Sequence, residues 1–114
     1  MDSHEIDRLV AEKVMGWEVP YEYDDIGIMA YTIEKGAFAF SPTNKIADAW
    51  QVIEKLQKDD WHIELYNENE KWCFDLTKYN EFMFVDRFYR TSAEDASLAI
   101  CLAALKACGI DVEV

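Results

Sequence analysis

Residues 92–107 read SAEDASLAICLAALKA, and Gly109 follows two positions later. No charged side chain occurs between Ala96 and Leu105. A surface helix needs one apolar stripe, whereas this segment is apolar nearly all round, which predicts a helix lying deep in the domain. Thr91 or Ser92 is placed to cap its start, with Glu94 at the capping-box position, and Gly109 supplies a left-handed stop. The small residues Ala96, Ala99, Ala103 and Ala107 admit a close neighbour, while Leu98, Ile100, Leu102 and Leu105 fill volume.

Upstream, residues 81–90 alternate Phe82, Phe84 and Phe88 with Met83, Val85 and Tyr89, so both faces of a strand would be apolar and covered. Before it, WHIELY and KWCFDL alternate around an Asn/Glu turn and predict a hairpin. Pairing Tyr66 with Lys71 sets Leu65 against Trp72, Ile63 against Phe74 and Trp61 against Leu76 on one side. His62 then meets Asp75, and Glu64 meets Cys73, on the other. Pro42–Lys58 reads as a helix: Ser41 is a good cap, Pro42 suits the first helical position, and Ile46, Ala49, Trp50, Ile53 and Leu56 form a stripe. Residues 3–15 show the same periodicity through Ile6, Leu9, Val10 and Val14, ending at Gly16. Residues 18–25, broken by Pro20, read as a loop. Residues 26–33 and 37–40 read as two short strands around a Glu34-Lys35-Gly36 turn. The expected fold class is therefore α/β (α+β): a helix/sheet/helix layered sandwich of three helices and a mainly antiparallel sheet of four to five strands, in a single domain over 1–114.

The 114 residues hold enough apolar material, 51%, to build a core without disulfides or metals. Three cysteines without a CxxC pair give neither a disulfide framework nor a zinc signature, and no cofactor is expected. No apolar run approaches the roughly 18 residues of a membrane span, and the start MDSHEIDR is unlike a signal peptide, so a cytoplasmic protein with no membrane partner is expected. The net charge of −12 argues against direct nucleic-acid binding, which depends on cations that displace counterions from phosphate.

Three blocks, VAEKVMGW (10–17), FSPTNKIADAWQVIEKL (40–56) and ASLAICLAALKACG (96–109), together resemble the phage ABA sandwich domain, a family of small phage and prophage proteins of Gram-positive bacteria. The resemblance implies a helix/sheet/helix sandwich and, if the chain is phage-encoded, residence in the host cytoplasm. It brings no catalytic motif, so it transfers no functional residue.

From the residues alone, a helix start at Ser41, Thr43 and Asn44 offers free amides and hydroxyls to a phosphate, and Lys45, Arg87 and Arg90 can add charge if the fold gathers them. Tyr21, Tyr23 and Tyr31 lie in or near polar stretches and suit a contact surface or a platform for a base. His62, Glu64, Cys73 and Asp75 have donor types suited to a divalent metal, or to a Cys73 nucleophile with His62 as base; a polar cross-strand ladder is the plainer reading. Together with the phage setting that the resemblance implies, these features favour a non-enzymatic phage binding protein, acting against host defence by sequestering a small nucleotide-type signal. The alternative is an acidic inhibitor covering a basic, nucleic-acid-binding surface of a host defence protein. The two readings diverge on one feature: a nucleotide sponge needs a local cationic pocket despite the acidic whole. An edge strand or aromatic loop can also pair two copies into a homo-oligomer.

Overall fold

Helix α3, Ala96–Ala107, lies at the centre, with Ala99, Ile100, Cys101, Ala103, Ala104 and Leu105 inaccessible to solvent. Asp95 rather than Thr91 or Ser92 caps it, accepting from the Leu98 amide at 2.7 Å. The stop falls at Gly109 (φ +82°), where the amides of Gly109 and Ile110 donate to the carbonyls of Lys106 and Leu105 in a Schellman arrangement.

The computed structural model describes residues 1–23 and 27–112. The N-terminal segment is α1 (Ser3–Leu9), capped by Asp2 and continuing as a π-helical turn, Val10–Val14. Strands β1 (Glu18–Tyr23), β2 (Gly27–Thr32) and β3 (Gly36–Phe40) form one antiparallel sheet with β2 in the middle. Helix α2 (Ile46–Lys58) leads to a second antiparallel sheet of β4 (His62–Glu68), β5 (Lys71–Tyr79) and β6 (Val85–Ala93), with β5 in the middle. Helix α3 packs on β5 and β6, α1 packs on β2, and α2 and the π turn press against α3. The helices thus join the two sheets around Ile6, Val10, Ile28, Phe40, Ile53, Phe74 and Leu76. This is the layered α+β sandwich expected from sequence, with six strands in two sheets instead of four or five in one. Among the described residues no helix is long and apolar enough to cross a membrane.

Four local expectations change. The segment 18–25, expected as a loop, supplies β1. Pro20 is tolerated because β1 is an edge strand, and the register shifts between Glu18 and Tyr21. The helix expected from Pro42 begins at Ile46, with Lys45 as its cap residue. Residues 41–45 form a separate turn in which the Asn44 and Lys45 amides donate to the Ser41 carbonyl.

The β4–β5 hairpin is offset by two residues from the expected pairing: Leu65 meets Phe74, Ile63 meets Leu76 and Tyr66 meets Cys73. The loop is only Asn69-Glu70, both at positive φ (54° and 66°), as a two-residue primed turn requires. A shift of two preserves sidedness, so the apolar face predicted for the hairpin is the one that meets α3. Glu70 holds a left-handed conformation that costs a side-chain-bearing residue about 1–2 kcal/mol. Glu70→Gly, creating the favoured Asn-Gly pair, is therefore expected to stabilise the protein by about 1 kcal/mol, seen as a rise of roughly 4 °C in Tm by calorimetry.

Finally, residues 80–84 form a loop instead of continuing a strand. Asn80 Oδ1 accepts from the amides of Phe82 (2.9 Å) and Phe84 (3.1 Å), and Met83 sits at φ 65°. The strand starts at Val85, and its Phe88 stays exposed, so β6 is not covered on both faces.

Candidate functional site

The C-terminal ends of all three helical segments approach the edge of the second sheet and enclose a cleft of about 540 Å³. Lys13 comes from the π turn, Lys55 and Lys58 from the last turns of α2, Lys78 from β5 and Arg87 from β6. Trp61, buried at the start of β4, lies among them, with Leu56, Val14 and Ala107 completing the apolar wall. Five of the chain's eleven cations thus line one cleft of a protein with net charge −12, against two carboxylates there, Asp59 and Asp60.

Part of this charge serves the helices. Lys55 and Lys58 in the last turn of α2 complement its negative end, and Lys55 Nζ stands 3.7 Å from Asp59, an exposed pair of small energetic value. Lys78 and Arg87 differ. They are direct cross-strand partners in the β5–β6 ladder, a placement in which like charges repel. Both reach the same aromatic ring: Lys78 Nζ lies 4.9 Å and Arg87 Cζ 5.1 Å from the Trp61 centroid. Tyr89 braces that ring from the side at 5.9 Å. Among the described residues neither Lys78 nor Arg87 forms an ion pair, and an anion entering the cleft would neutralise both.

Cys108 also borders the cleft. Burial pushes its thiol pKa up, and the neighbouring Asp59 adds to the shift against a smaller opposing effect of Arg87. At neutral pH it remains a thiol and a poor nucleophile. The cleft is thus equipped to hold an anion rather than to attack one.

The residues singled out from sequence are dispersed. Ser41 and Thr43 are buried, and their amides are engaged within the chain: Ser41 N–H donates to Asp48 Oδ2 and Thr43 N–H to Asp7 Oδ1, each at 2.9 Å. The free amides expected at a helix start here are therefore occupied by carboxylates, and Asn44 and Lys45 belong to the same turn. That turn precedes α2, whereas Arg87 stands by its last turn, roughly 20 Å away over 13 residues at 1.5 Å each. Arg90 donates Nε and Nη2 to Asp75 at 2.9 Å each, so its charge is committed to a salt bridge. Tyr31 lies on β2 beside a shallow hollow formed with Trp17 and Ile33. The side chains of Tyr21 and Tyr23 lie outside the described residues.

On the second sheet, Asp75 also accepts from the Tyr66 hydroxyl (3.3 and 3.2 Å), and desolvation together with the facing carboxylate raises the pKa of that phenol. Glu64 faces Asp75 across the ladder, Cys73 faces Tyr66, and His62 rests edge-on against Tyr79 at 5.0 Å. Among the described residues no three His, Cys, Asp or Glu side chains converge as metal ligands.

Of the cleft residues, sequence reasoning found only Arg87. The pairing of Lys78 with Arg87 follows once the β5–β6 hairpin is registered, but Lys13, Lys55 and Lys58 read as ordinary helix-end cations.

Comparison with known proteins agrees with the architecture. A family model described as the phage ABA sandwich domain matches residues 8–105. No curated protein matches. A phage protein from Bacillus cereus ATCC 14579, known from its crystal structure, is similar at a TM-score of 0.71 and 23% identity, over 99% of this chain and 93% of that one. At that identity the likeness concerns the fold.

Proposed function

The chain belongs to the phage ABA sandwich domain family, and from that premise we propose that it is a non-enzymatic phage binding protein. Its role is counter-defence, and it works by sequestering a small nucleotide-type signal of the host in the cleft around Trp61. The observation that carries this reading is the gathering of Lys13, Lys55, Lys58, Lys78 and Arg87 at one place on an otherwise acidic molecule. Phosphate removed from water must be paired with charge, and this cleft can pair it. The apolar wall of Leu56, Val14 and Ala107 gives the organic part of such a ligand a surface to cover. This reading moves the ligand from the Ser41–Asn44 turn to the cleft and keeps Arg87. The same local cationic character weighs against an acidic inhibitor of a basic surface, which would gain nothing from concentrating cations here.

Isothermal titration with pyrophosphate, then with mono-, di- and cyclic nucleotides, tests the proposal. Binding is expected for pyrophosphate and more tightly for at least one nucleotide, and it should weaken steadily as salt rises. No binding of any of these probes at 1 mM and low salt would remove the reading.

A further inference from the structure

Among the described residues neither outer strand of the second sheet pairs with a further strand, and the two edges differ. Strand β4 presents His62, Glu64, Asn67 and Glu68, a polar edge of the kind that resists pairing. The β6 side does the opposite: Phe82, Met83 and Phe84 are exposed by 70, 72 and 70%, Val85 by 58% and Phe88 by 47%. At about 200 Å² for a full aromatic side chain, this leaves roughly 600 Å² of apolar surface at one hairpin. That is the upper end of what a monomer usually exposes, and most of the ~800 Å² each partner contributes to a standard interface.

We infer that two copies of this chain pair through antiparallel β6 strands, with Phe88 on the two-fold axis. The inference goes beyond the ligand reading and holds whether or not the cleft binds a nucleotide. The strand's own sequence fixes the register. Residues directly opposite in an antiparallel ladder share a face, so a two-fold axis must pass through a residue position. Centred on Phe88, the pairing brings Asp86, the extra residue of a β-bulge between Val85 and Arg87, beside Arg90 of the partner subunit, and the reciprocal pair forms on the other side of the axis. Arg90 gives Nε and Nη2 to Asp75, which leaves Nη1 for the partner's Asp86. The two Phe88 rings meet at the centre.

The same axis carries the hairpin tip, Phe82–Phe84, to the far end of the partner's β6. A hollow of about 180 Å³ opens there, with Leu102, Ile110 and Val112 offering an apolar wall to an aromatic ring beside the charged Arg90, Lys106 and Asp111. Aromatic tip and hollow are thus complementary between identical chains, as a two-fold interface demands. Arg87 is one residue from the axis, so the two cationic clefts would adjoin across it.

Disulfide trapping tests both the pairing and its register. In a Cys108→Ser background, which removes the exposed native thiol, Phe88→Cys brings two identical positions within bridging distance on the axis. Asp86→Cys leaves its two copies roughly 14 Å apart, four residues offset along the strand, beyond the ~7 Å limit. Under mild oxidation near-complete dimer is expected from the first variant and none from the second. Light scattering of the unmodified protein is expected to give about twice 13.3 kDa, and Phe88→Glu, at a half-exposed position, should halve it while leaving the circular dichroism unchanged. A 13.3 kDa species at all concentrations up to about 200 µM, or trapping of the Asp86 variant as readily as the Phe88 one, would overturn the inference.

Discussion

Replacing Asp7 with asparagine is expected to stabilise the protein at pH 8 by about 1–3 kcal/mol and to leave it nearly unchanged at pH 4. Asp7 is wholly buried between α1 and the turn before α2. Its carboxyl pKa rises from 3.8 to about 6, first because burial penalises the charged form, with Asp48 adding a little. The Thr43 amide, the Thr43 hydroxyl and His4 oppose the shift without cancelling it. A carboxyl whose folded pKa lies above its unfolded one binds protons more readily in the native state. Its contribution is therefore complete below about pH 4, lost as the pH climbs from about 4 to 6, and nearly constant above that. Two pKa units correspond to about 3 kcal/mol at most. Asparagine can still accept the Thr43 amide, and it never carries the charge. The Thr43 hydroxyl also faces the Asp7 carboxyl, and an amide at position 7 brings a donor toward it. Urea midpoints for both proteins between pH 4 and 8 provide the check, because the other carboxylates cancel in the difference. Parallel curves would show that Asp7 is not the group responsible.

The same residue marks where sequence reading stopped. Periodicity exposed α3, its stop at Gly109 and the inner face of the β4–β5 hairpin, because each depends on neighbours within about a turn or a strand pair. Ser41-Pro42 carries a strong local cap signal, yet Thr43 donates to a carboxylate 36 positions earlier, and that tertiary bond holds residues 41–45 as a turn outside the helix. Likewise Asn80, by accepting two amides ahead of it, ended an alternating aromatic pattern that read as strand. β1 escaped detection because an edge tolerates proline and acids that a central strand excludes. The cleft was least legible. Its five cations come from the π turn, α2, β5 and β6, and only the packing of three helix ends beside one sheet edge brings them together.

Arg87→Glu is expected to move stability and binding in opposite directions. Arg87 stands across the ladder from Lys78, so a glutamate there replaces a repulsive pair with an attractive one and should stabilise the free protein by about 0.2–1 kcal/mol. If the cleft holds phosphate, the same change removes one charge-assisted contact and adds a repulsive charge. A contact of this kind is worth about 1.5–3 kcal/mol, which corresponds to a roughly 10- to 100-fold loss of affinity, with repulsion pressing toward the larger figure. Arg87→Gln separates the two contributions. It relieves the repulsion without creating attraction, and its affinity should fall between those of the other two proteins. Titration with the tightest-binding nucleotide, alongside thermal melts of the three proteins without ligand, gives both readouts. A cation kept only to pack against Trp61 would lose stability on substitution and leave affinity alone, the reverse of the expected pattern.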